Sequence, residues 1–208
     1  MEAQRSTMIN SQLRTIGVND PAVLAAVAAV GREKFMPAGR ASLAYADALV
    51  PIAAGRTMIE PMILALLLSH LRIQPGEKVL VIGCGTGYSA ALVTRLTTRS
   101  LAIESNPELA SFARNAGIAV TESPLSGGDP SGAPYDAIVI DGAVEQLPAA
   151  LLAQLREGGR LAAVIIGDDG VGRATTGTVF AGHFTGNAVL ETATTLLPGF
   201  ERPRQFVF

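Results

Sequence analysis

Five consecutive residues, Gly83-Cys84-Gly85-Thr86-Gly87, carry the strongest chemical signal in the chain. They follow a short apolar run and open a helical stretch, a setting in which a loop can lay its backbone against a nucleotide. A side chain at these positions would hold a ligand off the loop, which is a physical reason for glycine. Glu104 lies twenty-one positions after the first glycine. A carboxylate at the end of the following strand can accept hydrogen bonds from both hydroxyls of a ribose.

The spacing separates two kinds of nucleoside ligand. A dinucleotide fingerprint puts its third glycine three positions beyond the second. Here Gly85 and Gly87 are two apart, and Ala90 is the nearest small residue beyond. That spacing looks like a loop for S-adenosyl-L-methionine; a nicotinamide cofactor and a structural turn are the alternatives. Tyr88 and Ser105, beside the loop and the carboxylate, are assigned to the same site. Asp141 ends a later apolar run, at the edge where ligands gather, and either meets the ligand or caps the next segment. Cys84 has no partner base in sequence and reads as a small packing residue. His70 and His183 lack metal-ligand spacing to each other or to Cys84, so no metal site is expected.

The elements that would position these residues alternate. Residues 79–82, 101–103, 118–120 and 137–140 are short apolar runs suited to strands covered on both faces. Residues 88–96, 107–116 and 147–155 read as helices between them, and Gly158-Gly159 turns into a strand at 161–166. This predicts an α/β fold: a doubly wound, mostly parallel Rossmann-like sheet. Residues 173–180, 188–196 and 205–208 read as strands without helices between them, an antiparallel C-terminal edge. Residues 1–71 read as helical. Asn19-Asp20-Pro21 starts a helix over 22–30 that Gly31 ends, and 61–71 forms another, nearly all apolar.

The chain has 208 residues, 49% hydrophobic and 16% charged, which suits one domain with a sizeable core. The expected division is a helical, substrate-side segment at 1–75 and a cofactor-binding α/β core at 76–208. A net charge of −2 without any basic run argues against a nucleic-acid partner. One cysteine excludes an internal disulfide and suits a reducing compartment. The first residues lack a signal-like apolar stretch, and the longest apolar run, 62–68, is far short of a membrane span. A cytoplasmic protein away from membranes is expected; the sequence leaves the oligomeric state open.

Several stretches together resemble the protein-L-isoaspartate O-methyltransferase family. They are Met8-Ile9-Asn10-Ser11-Gln12-Leu13-Arg14, Phe35-Met36-Pro37, Ala44-Tyr45-Ala46-Asp47, Gly55-Arg56-Thr57-Met58 with Pro61 beyond, residues 79–90, Pro134-Tyr135-Asp136-Ala137-Ile138 and residues 151–161. The resemblance spans roughly residues 5–166. It implies transfer of a methyl group from S-adenosyl-L-methionine to the carboxylate of an L-isoaspartyl residue in a damaged protein or peptide. Such an acceptor is already an anion at neutral pH, so the chemistry needs positioning rather than a base.

The resemblance also marks differences. The family's substrate loop has serine where this chain has Ile59, with Glu60 next to it and Thr57 in the matching place. Ile59 offers no hydrogen bond. Glu60 would repel an anionic acceptor if it faces the site, and would be inert if it points to solvent. Asp47 is expected to order its loop by accepting hydrogen bonds. Val81 stands where the family has glutamate, and Glu122 is expected at the adenine, where Pro124 supplies no amide donor. A small-molecule acceptor and a catalytically silent cofactor-binding homologue are the alternatives.

Overall fold

The computed structural model describes residues 1–203; the strand expected at 205–208 lies outside them. A seven-stranded sheet forms the centre. Its strands are β3 (Lys78–Ile82), β4 (Arg99–Glu104), β5 (Thr121–Glu122), β6 (Tyr135–Val144), β7 (Leu155–Ile166), β8 (Gly172–Phe180) and β9 (His183–Glu191), in the order β5-β4-β3-β6-β7-β8-β9. The first five in that order run parallel; β8 and β9 add an antiparallel edge. This is the predicted class of sheet.

The pleat explains the unbroken apolar runs. Along β3, Val79 and Val81 face one core and Leu80 and Ile82 face the other, and all four are fully buried. On the first face lie α2 (Pro21–Ala29), α3 (Pro61–Leu71) and α4 (Tyr88–Leu96). The second face is covered by a short helix at Ala149–Leu152 and by Leu125, Leu197 and Phe200. Asp20 caps α2 by accepting from the amides of Ala22 and Val23 at 2.8 and 3.3 Å, with Pro21 at the first helical position, as its sequence predicts.

Four expectations give way to local physics. Residues 1–71 are not all helix: β1 (Val50–Ala53) and β2 (Arg56–Met58) form an antiparallel hairpin within them. Residues 118–120 are no strand. The amide of Ile118 donates to the carbonyl of Ala113 at 3.0 Å around the left-handed Gly117, which closes the helix Pro107–Asn115 and delays pairing until Thr121. The helix over 147–155 shrinks to Ala149–Leu152, because the carbonyl of Gln154 accepts from the amide of Tyr135 at 2.8 Å and draws the chain into β7. The last edge strand starts earlier than 188, at His183. Ala181 and Gly182, both with positive φ, make a tight turn directly after β8. Residues 192–200 are thereby freed to cross the carboxyl edge of the sheet, where Leu196 bridges to Ala143.

No helix among the described residues is long and apolar enough to cross a membrane.

Candidate functional site

The strand order places a topological switch beside β3, which has β4 on one side and β6 on the other. The glycine loop leaves the carboxyl end of β3 at this point and feeds directly into α4. Gly83, Gly85 and Gly87 have φ of 71°, 56° and 103°, the left-handed region that a side chain strains to reach. Spacing and conformation thus agree. Cys84 is buried, and burial raises its thiol pKa, which makes it inert packing. Thr86 is also buried, and its hydroxyl has no partner among the described residues.

Glu104 stands at the end of β4, fully buried, with its carboxylate under the loop. It accepts from the amides of Gly85 at 2.8 Å, Ser105 at 2.8 Å and Asn106 at 3.0 Å. Its fourth partner was not foreseen. Arg56, 5% exposed on β2, donates through Nη1 to Oε1 at 2.7 Å and through Nη2 to Oε2 at 2.8 Å, and also reaches the carbonyl of Gly83 at 3.2 Å. Burial alone would raise the pKa of Glu104; the guanidinium and the amides outweigh it and hold the carboxyl below its ordinary value. The hint in sequence was a lone arginine inside an otherwise apolar hairpin, Val50-Pro51-Ile52-Ala53-Ala54-Gly55-Arg56.

The stretch expected to meet the acceptor, Thr57 to Glu60, follows Arg56 directly. Thr57 shares a hydrogen bond with Thr195 of the crossing segment, Oγ1 to Oγ1 at 2.7 Å. The side chain of Ile59 is buried, and its carbonyl accepts from Nη2 of Arg32 at 2.6 Å. Arg32 is itself fully buried, with its guanidinium 4.9 Å from the ring centre of Tyr88. Burial pushes its pKa down against the pull of Tyr88, Asp141 and Glu60. Tyr88 is buried against Phe35 as well, and burial lifts its hydroxyl to about 12.

Glu60 faces neither wholly inward nor wholly outward. One carboxylate oxygen is shut away without a partner among the described residues, and burial with the charge of Asp47 raises its pKa, with Arg32 opposing. Asp141 also has one oxygen shut off from solvent and unpartnered among the described residues. Burial raises its pKa, while the neighbouring Ser89 hydroxyl and then Arg32 and Arg56 pull the other way. It caps nothing, because β6 continues through it to Val144.

One further expectation is corrected. Asp47 is exposed and no hydrogen bond among the described residues holds it; its loop is tied by the Tyr45 hydroxyl donating to Glu33 and by Gln12 donating to the carbonyl of Tyr45 at 3.3 Å. Glu122 is half-exposed and paired with Arg114. It lines the rim of a cleft of about 460 Å³ with Ser105, Pro124, Leu125 and Gly199.

The donor set suits a ribose and a backbone-cradled tail: a glycine trough, a buried carboxylate and an open cleft next to both. The trough itself is filled by the protein. A Cβ built on Gly83 would lie 2.9 Å from Cδ1 of Leu197, one on Gly142 2.6 Å from Cγ of Leu197, and one on Gly85 2.7 Å from Cδ1 of Ile52. Loop and carboxylate fit the cofactor chemically, while side chains from two other segments, the hairpin and residues 192–200, close the space.

A parallel sheet with this loop at its switch point defines the class of S-adenosylmethionine-dependent methyltransferases. Comparison narrows the class. The family model described as protein-L-isoaspartate(D-aspartate) O-methyltransferase matches residues 3–170, and the chain belongs to that family. A protein-L-isoaspartate O-methyltransferase of Methylorubrum populi is 43% identical over 166 residues, covering 77% of this chain and 78% of its own. One from Methanoculleus marisnigri is 38% identical over 169 residues, covering 78% and 77%. Among solved structures, a protein-L-isoaspartate O-methyltransferase superposes with a TM-score of 0.81 at 26% identity, over 94% of this chain and 66% of that one. A Plasmodium falciparum structure described as the same kind of enzyme, in complex with S-adenosyl-L-homocysteine, shares the fold with a TM-score of 0.78 at 21% identity, over 93% and 97%.

Proposed function

We propose that this chain methylates the carboxylate of an isoaspartyl residue, with S-adenosyl-L-methionine as donor. The single observation behind it is the buried Glu104 beneath a left-handed glycine loop at the switch point, in a chain of this family. The backbone of residues 83–87, Glu104 and Ser105 would hold the cofactor. When bound, that group supplies a methyl already activated by a positive sulfur.

The chain's own share is positioning. An acceptor carboxylate is ionised at neutral pH, so no residue has to remove a proton. Arg32 pins the acceptor loop through the carbonyl of Ile59, and the buried side chains of Ile59 and Tyr88 exclude water around it. Glu60 carries one shut-away oxygen with no partner among the described residues, and burial with the charge of Asp47 raises its pKa. The whole chain acting as one domain, a cytoplasmic location and the lack of a nucleic-acid partner belong to the same proposal, supported by composition and charge.

The test is transfer of labelled methyl to an isoaspartyl peptide against its aspartyl isomer. Transfer to the isoaspartyl peptide alone is expected. No transfer at millimolar peptide, with cofactor binding intact, overturns the acceptor and favours a second reading, a small-molecule acceptor. Ile59 and Glu60 motivate that reading, since they make this wall more apolar and more anionic than the family's. If Ile59→Ser with Glu60→Gln then fails to raise isoaspartyl turnover, the second reading stands.

A further inference from the structure

Glu104 receives five hydrogen bonds, three from backbone amides and two from the one guanidinium. A carboxylate offers about four lone-pair sites, so nothing is left for another donor. The two N–H groups of Arg56 sit on the two oxygens as a parallel fork. Two neighbouring hydroxyls of a ribose present the same pattern: two donors, side by side, to one carboxylate. The guanidinium and the sugar are alternatives at this atom pair, since both cannot be accommodated.

We propose that Arg56 is an internal competitor of the cofactor for Glu104, so that the nucleoside enters only when the hairpin lifts its arginine away. The proposal rests on the reading of Glu104 as the ribose acceptor. Three features make the exchange feasible. With Arg56 gone, Glu104 keeps the amides of Gly85, Ser105 and Asn106, so the buried charge is not abandoned. Arg56 is carried by a hairpin of only four and three residues, outside the main sheet. The same hairpin carries Ile52, which stands on Gly85, so one displacement clears both the carboxylate and part of the trough.

The crossing segment completes the closure. Leu197 covers Gly83 and Gly142, and the segment is tied to β6 by the amide of Ala143 donating to Thr195 at 3.0 Å and the amide of Leu197 donating to Ala143 at 2.9 Å. The bond between Thr57 and Thr195 joins it to the hairpin. The physical consequence is a cofactor affinity set below what the loop and carboxylate alone would give, because part of the binding free energy goes into breaking the fork.

Calorimetric titration of the full chain with S-adenosyl-L-homocysteine tests this without reference to turnover. The expected result is that Arg56→Gln binds at least tenfold more tightly than the unaltered chain, and Leu197→Ala several-fold more tightly. If Arg56→Gln folds poorly, Arg56→Met, which keeps an apolar stem of similar length without the two donors, decides in its place with the same expected tightening. Equal or weaker binding in the variants, with measurable binding by the unaltered chain, overturns the competitor and leaves the cofactor site standing. No binding by any of the three overturns the cofactor reading on which the competitor rests.

Discussion

Two buried arginines, one on the hairpin and one bound to the loop that follows it, are held in opposite ways. Arg56 meets a carboxylate as a bidentate fork, and that carboxylate has three other donors. Arg32 meets one carbonyl and the face of one ring, and two of its nitrogens, Nε and Nη1, have no partner among the described residues. No carboxylate oxygen among the described residues lies within 4.0 Å of it. The difference teaches what each does. A guanidinium whose partner is satisfied without it can be exchanged for a ligand. One that is wedged by packing and pins a loop through a single carbonyl is part of the frame.

The comparison breaks if the two arginines behave alike. Arg32→Ala should give the larger loss, because it opens a large cavity and orphans the carbonyl of Ile59. We expect about 3 kcal/mol of unfolding free energy and a fall in Tm of roughly 6–12 °C by thermal unfolding. Arg56→Gln should lose about 2 kcal/mol at pH 7, less than the ~3–5 kcal/mol of a broken buried pair, because the amides still hold Glu104.

That second loss should also depend on pH. The folded pKa of Glu104 is depressed, so its stabilisation is present above the unfolded carboxyl value of about 4.3. It is lost as pH falls through the folded pKa. Denaturant unfolding at pH 7 and again well below pH 4 should therefore show the gap between the unaltered chain and Arg56→Gln closing on acidification. A gap that stays constant would mean that Arg56 acts through packing. The smallest effect belongs to Tyr45→Phe, which removes the bond to Glu33 in a half-exposed loop and should lose about 1 kcal/mol by the same measurement.

The cofactor loop was legible from sequence because its information is local. Glycine at 83, 85 and 87 encodes left-handed backbone, an apolar run before it encodes a doubly covered strand, and a carboxylate after the next such run lands on the same sheet edge. The expected strands near 80, 102, 138, 163 and 176 all form, because the two-residue pleat repeats on each. Where a single long-range bond decided the outcome, sequence misled. The helix expected over 147–155 lost its end to one bond from Tyr135 to Gln154, and Asp47 yielded its ordering role to Tyr45, thirty-three residues from its partner Gln12.

What sequence determined by itself is therefore the class: a parallel sheet, a nucleoside loop with its acid, and a family resemblance in the acceptor region. What only the tertiary structure decided is that the acid is occupied. Arg56 lies forty-eight positions from Glu104 and Thr57 lies 138 from Thr195. No periodicity records such separations. They arise where the hairpin and the crossing segment, neither of them able to bury its apolar side chains alone, settle on the carboxyl edge of the sheet and close over the loop that a ligand would need.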